Sequence, residues 1–255
     1  MELNDMLNDA QNIPENLRLM ALHVTPLAGY DHACNCVGGL IESKSKAFSV
    51  AINPEKLYKA EHDANLAALI NRAQMFICDG IGAALAVKVL YGRSISRITG
   101  VGLFYALVKR AALKGWRIYL LGAAPEVNQG AYDRLSQEYP GLKIVGRHDG
   151  YFSDSEKVVT DINASRADIL FVAMGSPKQE SWIAENSERI NAAFCMGVGG
   201  TFDVVSGKVK WAPVFFRKTG TEWLYRLLSE PKRWRRQLAL PKFVWVLIQY
   251  GLGWR

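Results

Sequence analysis

The chain has 255 residues, of which 49% are apolar and 22% charged; that is enough to bury one large core and far too large for a disulfide-stapled secreted module. Its net charge of +7 is lopsided: from Lys208 onward eleven Lys/Arg face two Asp/Glu, whereas the upstream body carries twenty against twenty-two. A uniformly basic protein is thereby excluded, and the tail alone calls for an anionic partner.

The first sixteen residues are polar, with neither a basic start nor an apolar stretch, and read as a frayed N-terminus without a signal peptide. From Leu17 onward short β-branched runs alternate with helical patterns. Strands are predicted at Leu19–Val24, Phe48–Ile52, Met75–Cys78, Arg117–Leu121, Lys143–Val145, Ile169–Val172 and Ala193–Met196. Helices are predicted at Asp31–Glu42, Glu55–Ala73, Gly82–Leu90, Leu103–Leu113, Pro125–Glu138, Ser155–Ala164 and Lys178–Glu185. This order predicts an α/β domain over 17–208, an open, mainly parallel, Rossmann-like sheet flanked by helices.

Residues 209–255 predict a basic, aromatic helical appendage, with helices at Thr221–Leu228, Pro231–Leu240 and Pro241–Gly251. Trp223, Leu224, Leu227 and Leu228 recur at helical spacing and predict packing against the domain. The longest uncharged run of the tail, Phe243–Trp254, has twelve residues, against the ~20 that a spanning helix needs. Four cysteines, Cys34, Cys36, Cys78 and Cys195, have no framework spacing and fit a reducing cytoplasm.

In an open parallel sheet ligands bind beyond the carboxyl ends of the strands. Three glycine turns fall at such ends, Gly122, Gly175 and Gly199-Gly200, and each either lets a backbone approach a phosphate or is a tight turn and no more. Asp79 closes an apolar strand; it reads equally as a cap of the next helix or as a general base facing a cleft. Asp79-Gly80-Ile81-Gly82 lacks the third glycine of a dinucleotide fingerprint, since Leu85 stands there, which argues against an oxidoreductase. Cys34 and Cys36 beside His32 have no second ligand cluster, and no Asp-x-Asp occurs in the chain. No metal or cofactor is expected, and leaving-group charge then falls to arginines and helix N-termini.

Taken together, Val172–Glu180 (Val-Ala-Met-Gly-Ser-Pro-Lys-Gln-Glu), Gly197–Asp203 (Gly-Val-Gly-Gly-Thr-Phe-Asp) and Glu222–Leu228 (Glu-Trp-Leu-Tyr-Arg-Leu-Leu) resemble the WecG/TagA/CpsF family of bacterial glycosyltransferases. Asn53-Pro54-Glu55 and Asp79–Gly82 add to the likeness, which covers roughly Leu17 to Pro241. The resemblance implies an inverting, metal-independent transfer of an N-acetylmannosamine-type sugar from a UDP-sugar donor to N-acetylglucosamine on undecaprenyl diphosphate, in cell-surface polysaccharide assembly. It implies Asp79 as base, Asn53 and Arg97 in the sugar pocket, and Tyr151, Gln179 and Asp203 around the nucleotide. Gly122, Gly175, Lys178, Gly199 and Gly200 complete the expected donor site. Arg226, Arg233 and Arg236 are expected to close over the diphosphate. Many members carry Thr two residues before the pocket Asn, where this chain has Ala51, so the donor sugar stays open between N-acetylmannosamine, its uronic acid and glucose.

Trp234, Phe243, Val244, Trp245, Leu247, Ile248 and Trp254 interleave with Arg233, Arg235, Arg236 and Lys242. That is the pattern of a helix lying in a headgroup layer, where each cation is worth roughly 1 kcal/mol. The expectation is reversible, peripheral association with an anionic inner membrane surface and no nucleic-acid partner. The alternatives are a solvated basic face and a non-enzymatic protein that uses the Arg/Trp tail on nucleic acid; a homo-oligomer stays open.

Overall fold

The computed structural model describes residues 12–229, 234 and 238–253. The expected positions Arg233, Arg235, Arg236 and Trp254 lie outside the described residues.

Six strands form one parallel sheet: β3 (Ala47–Ile52), β4 (Met75–Cys78), β5 (Arg117–Gly122), β6 (Lys143–His148), β7 (Ile169–Ala173) and β8 (Phe194–Gly197), in the order β4-β3-β8-β7-β5-β6. β4, β7 and β8 are buried along their whole length, as strands covered on both faces must be. Alternate residues feed two cores. Phe48, Val50, Tyr119, Leu121, Leu170 and Val172 point to one, and Ile118, Leu120, Ile169 and Phe171 to the other. The first core is roofed by α2 (Pro54–His62), α3 (Ala64–Ile70), α4 (Ile81–Tyr91), α7 (Ser155–Ser165), α8 (Lys178–Asn186) and α12 (Ala239–Gly251). The second is roofed by α1 (Tyr30–Ser43), α5 (Gly100–Lys114), α6 (Pro125–Glu138) and α9 (Thr201–Val205). The expected doubly covered α/β architecture is therefore present.

Three local expectations are corrected. The run Leu19–Val24 is not one strand of the sheet but the heart of a separate antiparallel hairpin, β1 (Leu17–Leu19) and β2 (Leu22–Val24), with Leu19 opposite Leu22. Its two-residue turn contains Met20 at φ 59°, a left-handed position that carries no Gly or Asn marker in the sequence. The following Thr25 seals the free edge of β4: its N–H donates to Phe76 O (2.9 Å) and its Oγ1 accepts from Phe76 N–H (2.7 Å). The predicted helix Glu55–Ala73 is two helices, broken because Asp63 is extended and caps α3 by accepting from Leu66 N–H. Of the stretch expected to fray, residues 12–16 are tied down: Asn16 donates to Gln74 O and accepts from Thr25 Oγ1, and Ile13 packs on the second core.

The tail returns to the body. Trp211 stacks on Tyr105 of α5 with ring centroids 5.0 Å apart, and the Arg217 guanidinium lies 4.0 Å from the centre of the Trp211 ring. From this anchor run α10 (Val214–Thr219), α11 (Glu222–Ser229) and α12. α12 sends Phe243, Val246 and Leu247 into the first core. α11 does not pack as its spacing suggested: Leu224 and Leu227 are half-buried, while Trp223 and Leu228 remain exposed. No described helix is long and apolar enough to cross a membrane.

Candidate active site

Because all six sheet strands are parallel, the six segments that follow them open on one edge. Along that edge the order is Asp79 after β4, Asn53 after β3, Gly199 after β8, Gly175 after β7, Gly122 at the end of β5 and Tyr151 beyond β6. At about 4.8 Å per strand step the row is ~24 Å long. The chain leaves β5 outward to β6 but leaves β7 the opposite way to β8, so the crossovers diverge between Gly122 and Gly175, as at a topological switch point.

Asp79 stands at one end of this row. Its N–H donates to Ile52 O (2.8 Å), extending the β3–β4 ladder by one residue and fixing where the side chain leaves the sheet. The carboxylate is not a helix cap, since the N-cap of α4 is Gly80 and no side chain caps that helix. It faces the start of α5, where a Cβ on Gly100 would lie 4.0 Å from Asp79 Oδ2. Burial pushes its pKa up to about 6; the charges of Arg226, Lys56 and Arg97 pull it down and that of Glu222 pushes it up. A carboxylate poised there is ionised at neutral pH yet basic enough to accept a proton from a hydroxyl.

The surrounding groups come from four segments. Asn53 caps α2, its Oδ1 accepting from Lys56 N–H at 2.9 Å, which leaves its amide NH2 as the group that can reach a ligand. Lys56 turns inward to a buried ion pair with Glu180 of α8 (2.7 Å). Beside it Gln179 is buried; its Oε1 accepts from Gly199 N–H (2.9 Å), and its side chain fills the space a Cβ on Gly197 would occupy at 2.5 Å. Gln179 thus shapes the Gly199 loop from below instead of standing open on the edge. Arg97 donates to Arg217 O and pairs with Glu222 Oε1 at 3.6 Å, so the sugar-pocket arginine expected from sequence also holds the elbow between α10 and α11.

The glycines divide by surroundings. Gly175 (φ 75°) and Gly199 (φ 54°) have nothing near the site of a missing Cβ, so they border open space. Gly122 (φ 109°) is different: a Cβ there would meet Ala173 O at 2.5 Å, so close strand packing requires it. Gly200 lies beside the Asp203 carboxylate, at the start of α9. Lys178 and Tyr151 are exposed, Tyr151 at 78%. Arg226 reaches Asp79 electrostatically from α11.

Sequence reasoning missed Lys56 and Asn128, and it named Glu222 in a motif without its ion pair to Arg97. Asn128 is fully buried on α6, and its Nδ2 donates to Gly122 O (2.9 Å) and lies near Leu120 O and His148 O, joining the ends of β5 and β6. A lone Asn on a helix face gives no warning of this; a Gln-Glu pair directly after a strand turn, as in Gln179-Glu180, was the one legible hint of the buried network. The thiols of Cys34 and Cys36 are buried in α1 and pushed up to about 11 by that burial, so neither is a ready thiolate ligand.

A family model described as "Glycosyl transferase WecG/TagA/CpsF family" matches residues 17–255. The chain belongs to this family. Among its relatives, a Bacillus spizizenii protein named N-acetylglucosaminyldiphosphoundecaprenol N-acetyl-beta-D-mannosaminyltransferase is 38% identical over 210 residues, covering 82% of each chain. The WecG/TagA/CpsF assignment makes this protein a glycosyltransferase, and its one acidic group at the sheet edge with a raised pKa, among the described residues, is Asp79.

Proposed function

We propose that this glycosyltransferase moves an N-acetylmannosamine-type sugar from a UDP donor to N-acetylglucosamine on undecaprenyl diphosphate, with inversion. The observation that carries the reading is Asp79, a carboxylate with pKa near 6 ringed by Arg97, Arg226 and Lys56, in a chain 38% identical to a transferase named for that sugar and acceptor. Asp79 takes the proton of the acceptor hydroxyl; the oxygen forms its bond to the anomeric carbon from the face opposite UDP. The bond from that carbon to the diphosphate oxygen breaks, and its electron pair leaves with UDP.

The linear order of the edge supports a linear donor. The sugar lies at the Asp79, Asn53 and Arg97 end, the diphosphate over the open Gly199 and Gly175 turns, and the nucleoside toward Gly122, Asp203 and exposed Tyr151. Negative charge developing on the diphosphate is met by Arg226 and, in this reading, by Arg233 and Arg236, so the chemistry proceeds without a metal step. The basic, aromatic tail keeps the enzyme peripheral on an anionic membrane, where its lipid-linked acceptor resides.

A donor panel tests this. Against one lipid-linked N-acetylglucosamine acceptor with chelator present, UDP-N-acetylmannosamine is expected to be used at least tenfold faster than its uronic acid or UDP-glucose. Preference for another donor overturns the sugar assignment, and loss of turnover on chelation overturns metal independence.

A further inference from the structure

Two helices on the same side of the sheet are apolar on their outer as well as their inner faces. In α4, Ala83, Ala86 and Val87 turn into the core, yet Ile81, Leu85 and Val89, at i, i+4 and i+8, are each more than half exposed. α12 repeats the pattern: Phe243, Val246 and Leu247 are buried, while Val244, Trp245 and Ile248, with Leu252 just beyond, remain open to solvent. The helices touch, since a Cβ on Gly251 would lie 3.7 Å from Val89 Cγ1. A helix apolar all round belongs in a core or in lipid, and joined patches of this kind are rarely left bare.

Charge decides what covers this one. Neither helix contains Asp or Glu, and the exposed cations on or beside them are Lys88, Arg93 and Lys242. The strip holds a tryptophan, is edged mostly by cations, and has beside it the half-buried Glu61, which accepts from the Tyr250 hydroxyl (2.9 Å); continuous in sequence with a strongly basic tail, it fits the headgroup–acyl boundary of an anionic bilayer. The strip also reaches the chemistry: Ile81 is two residues past Asp79, and Gly220 of the α10–α11 elbow sits against it, 3.3 Å from a Cβ at Gly220 to Ile81 Cβ.

We propose that α4, a helix of the catalytic body, joins α12 to form the face with which the protein lies on anionic lipid, so that the membrane contact begins two residues from Asp79. The tail is then not a flexible tether. Body and tail meet the bilayer together, which sets the height of Asp79 above the headgroups to match a sugar held there by a diphosphate. That orienting role rests on the transfer reading above; the binding itself does not.

The test is the exposed double variant L85E/V89E, with L85Q/V89Q as a milder companion and W245E/I248E as the tail counterpart. Partition of the full chain onto phosphatidylglycerol–phosphatidylcholine vesicles is measured by co-sedimentation, beside pure phosphatidylcholine. Turnover is measured in parallel with a bilayer-embedded acceptor and with a water-soluble short-chain analogue. We expect L85E/V89E to lower the partition coefficient at least tenfold and to lose bilayer turnover while keeping the soluble-acceptor rate. Wild-type partition by both α4 variants, with loss only in W245E/I248E, overturns the proposal in favour of the tail alone. A wild-type dimer that ignores vesicles and becomes monomeric in L85E/V89E overturns it in favour of a second copy on this face. If wild type turns over no acceptor at all, the transfer reading fails while the vesicle result still stands or falls by itself.

Discussion

At the carboxyl edge of the sheet the groups of the proposed site are held from behind by buried partners: Lys56 by Glu180, the Gly199 loop by Gln179, the ends of β5 and β6 by Asn128. In the tail, α11 buries none of its residues, and Arg226 and Glu222 reach the site from a helix resting on half-buried leucines. The contrast teaches a division of labour. The body holds its groups through buried partners, and the tail brings charge on a helix that buries no residue.

The largest effect that would sharpen this contrast belongs to the body. D79N is expected to lower kcat by roughly 10²- to 10⁴-fold, the usual worth of a general base, with donor binding retained by calorimetry; near-normal turnover would remove Asp79 from the chemistry. The fold is not the casualty. Its pKa in the folded chain stands above the ordinary carboxylate value, so the ionised form costs stability above pH 6, and that cost fades as the pH falls through 6 toward 4. D79N should therefore melt higher than wild type at pH 8 and equally at pH 4.

Next comes K56M, which leaves Glu180 buried without its cation. A loss of about 3–5 kcal/mol in urea unfolding is expected, whereas a neutral result would mean that the pair is not the brace described above. The smallest effect belongs to the tail. R226A should cost roughly 10- to 100-fold in kcat/KM with unfolding unchanged. The wild-type rate should fall as pH drops through about 6, and because Arg226 holds the Asp79 pKa down, R226A should shift that acid limb to higher pH. An unmoved limb would separate the tail from the base and dissolve the comparison.

The six sheet strands and the place of Asp79 at the end of one of them were legible in the sequence, because fully buried parallel strands read as unbroken apolar runs. What stayed hidden was conformation with no residue-type signature: Met20 turning a hairpin without glycine, or Asp63 breaking a helix whose apolar spacing continues past it. The roles of two expected residues were also blurred by packing. Gly122 answers to the backbone of Ala173. Gln179 answers to Gly199, because a buried amide takes whichever partner the next loop offers. Lys56 gave no signal at all, since an inward lysine four residues past a strand looks like any surface cation until its carboxylate partner, 124 positions away, is seen.

Arg97 belongs to the loop before α5, yet it is fastened to Arg217 O and Glu222. Transplanting a tail from one relative onto the body of another therefore replaces what holds Arg97, the arginine proposed for the sugar pocket. Such chimeras are expected to keep the Arg97 ion pair only when the incoming tail brings an acidic residue where Glu222 stands.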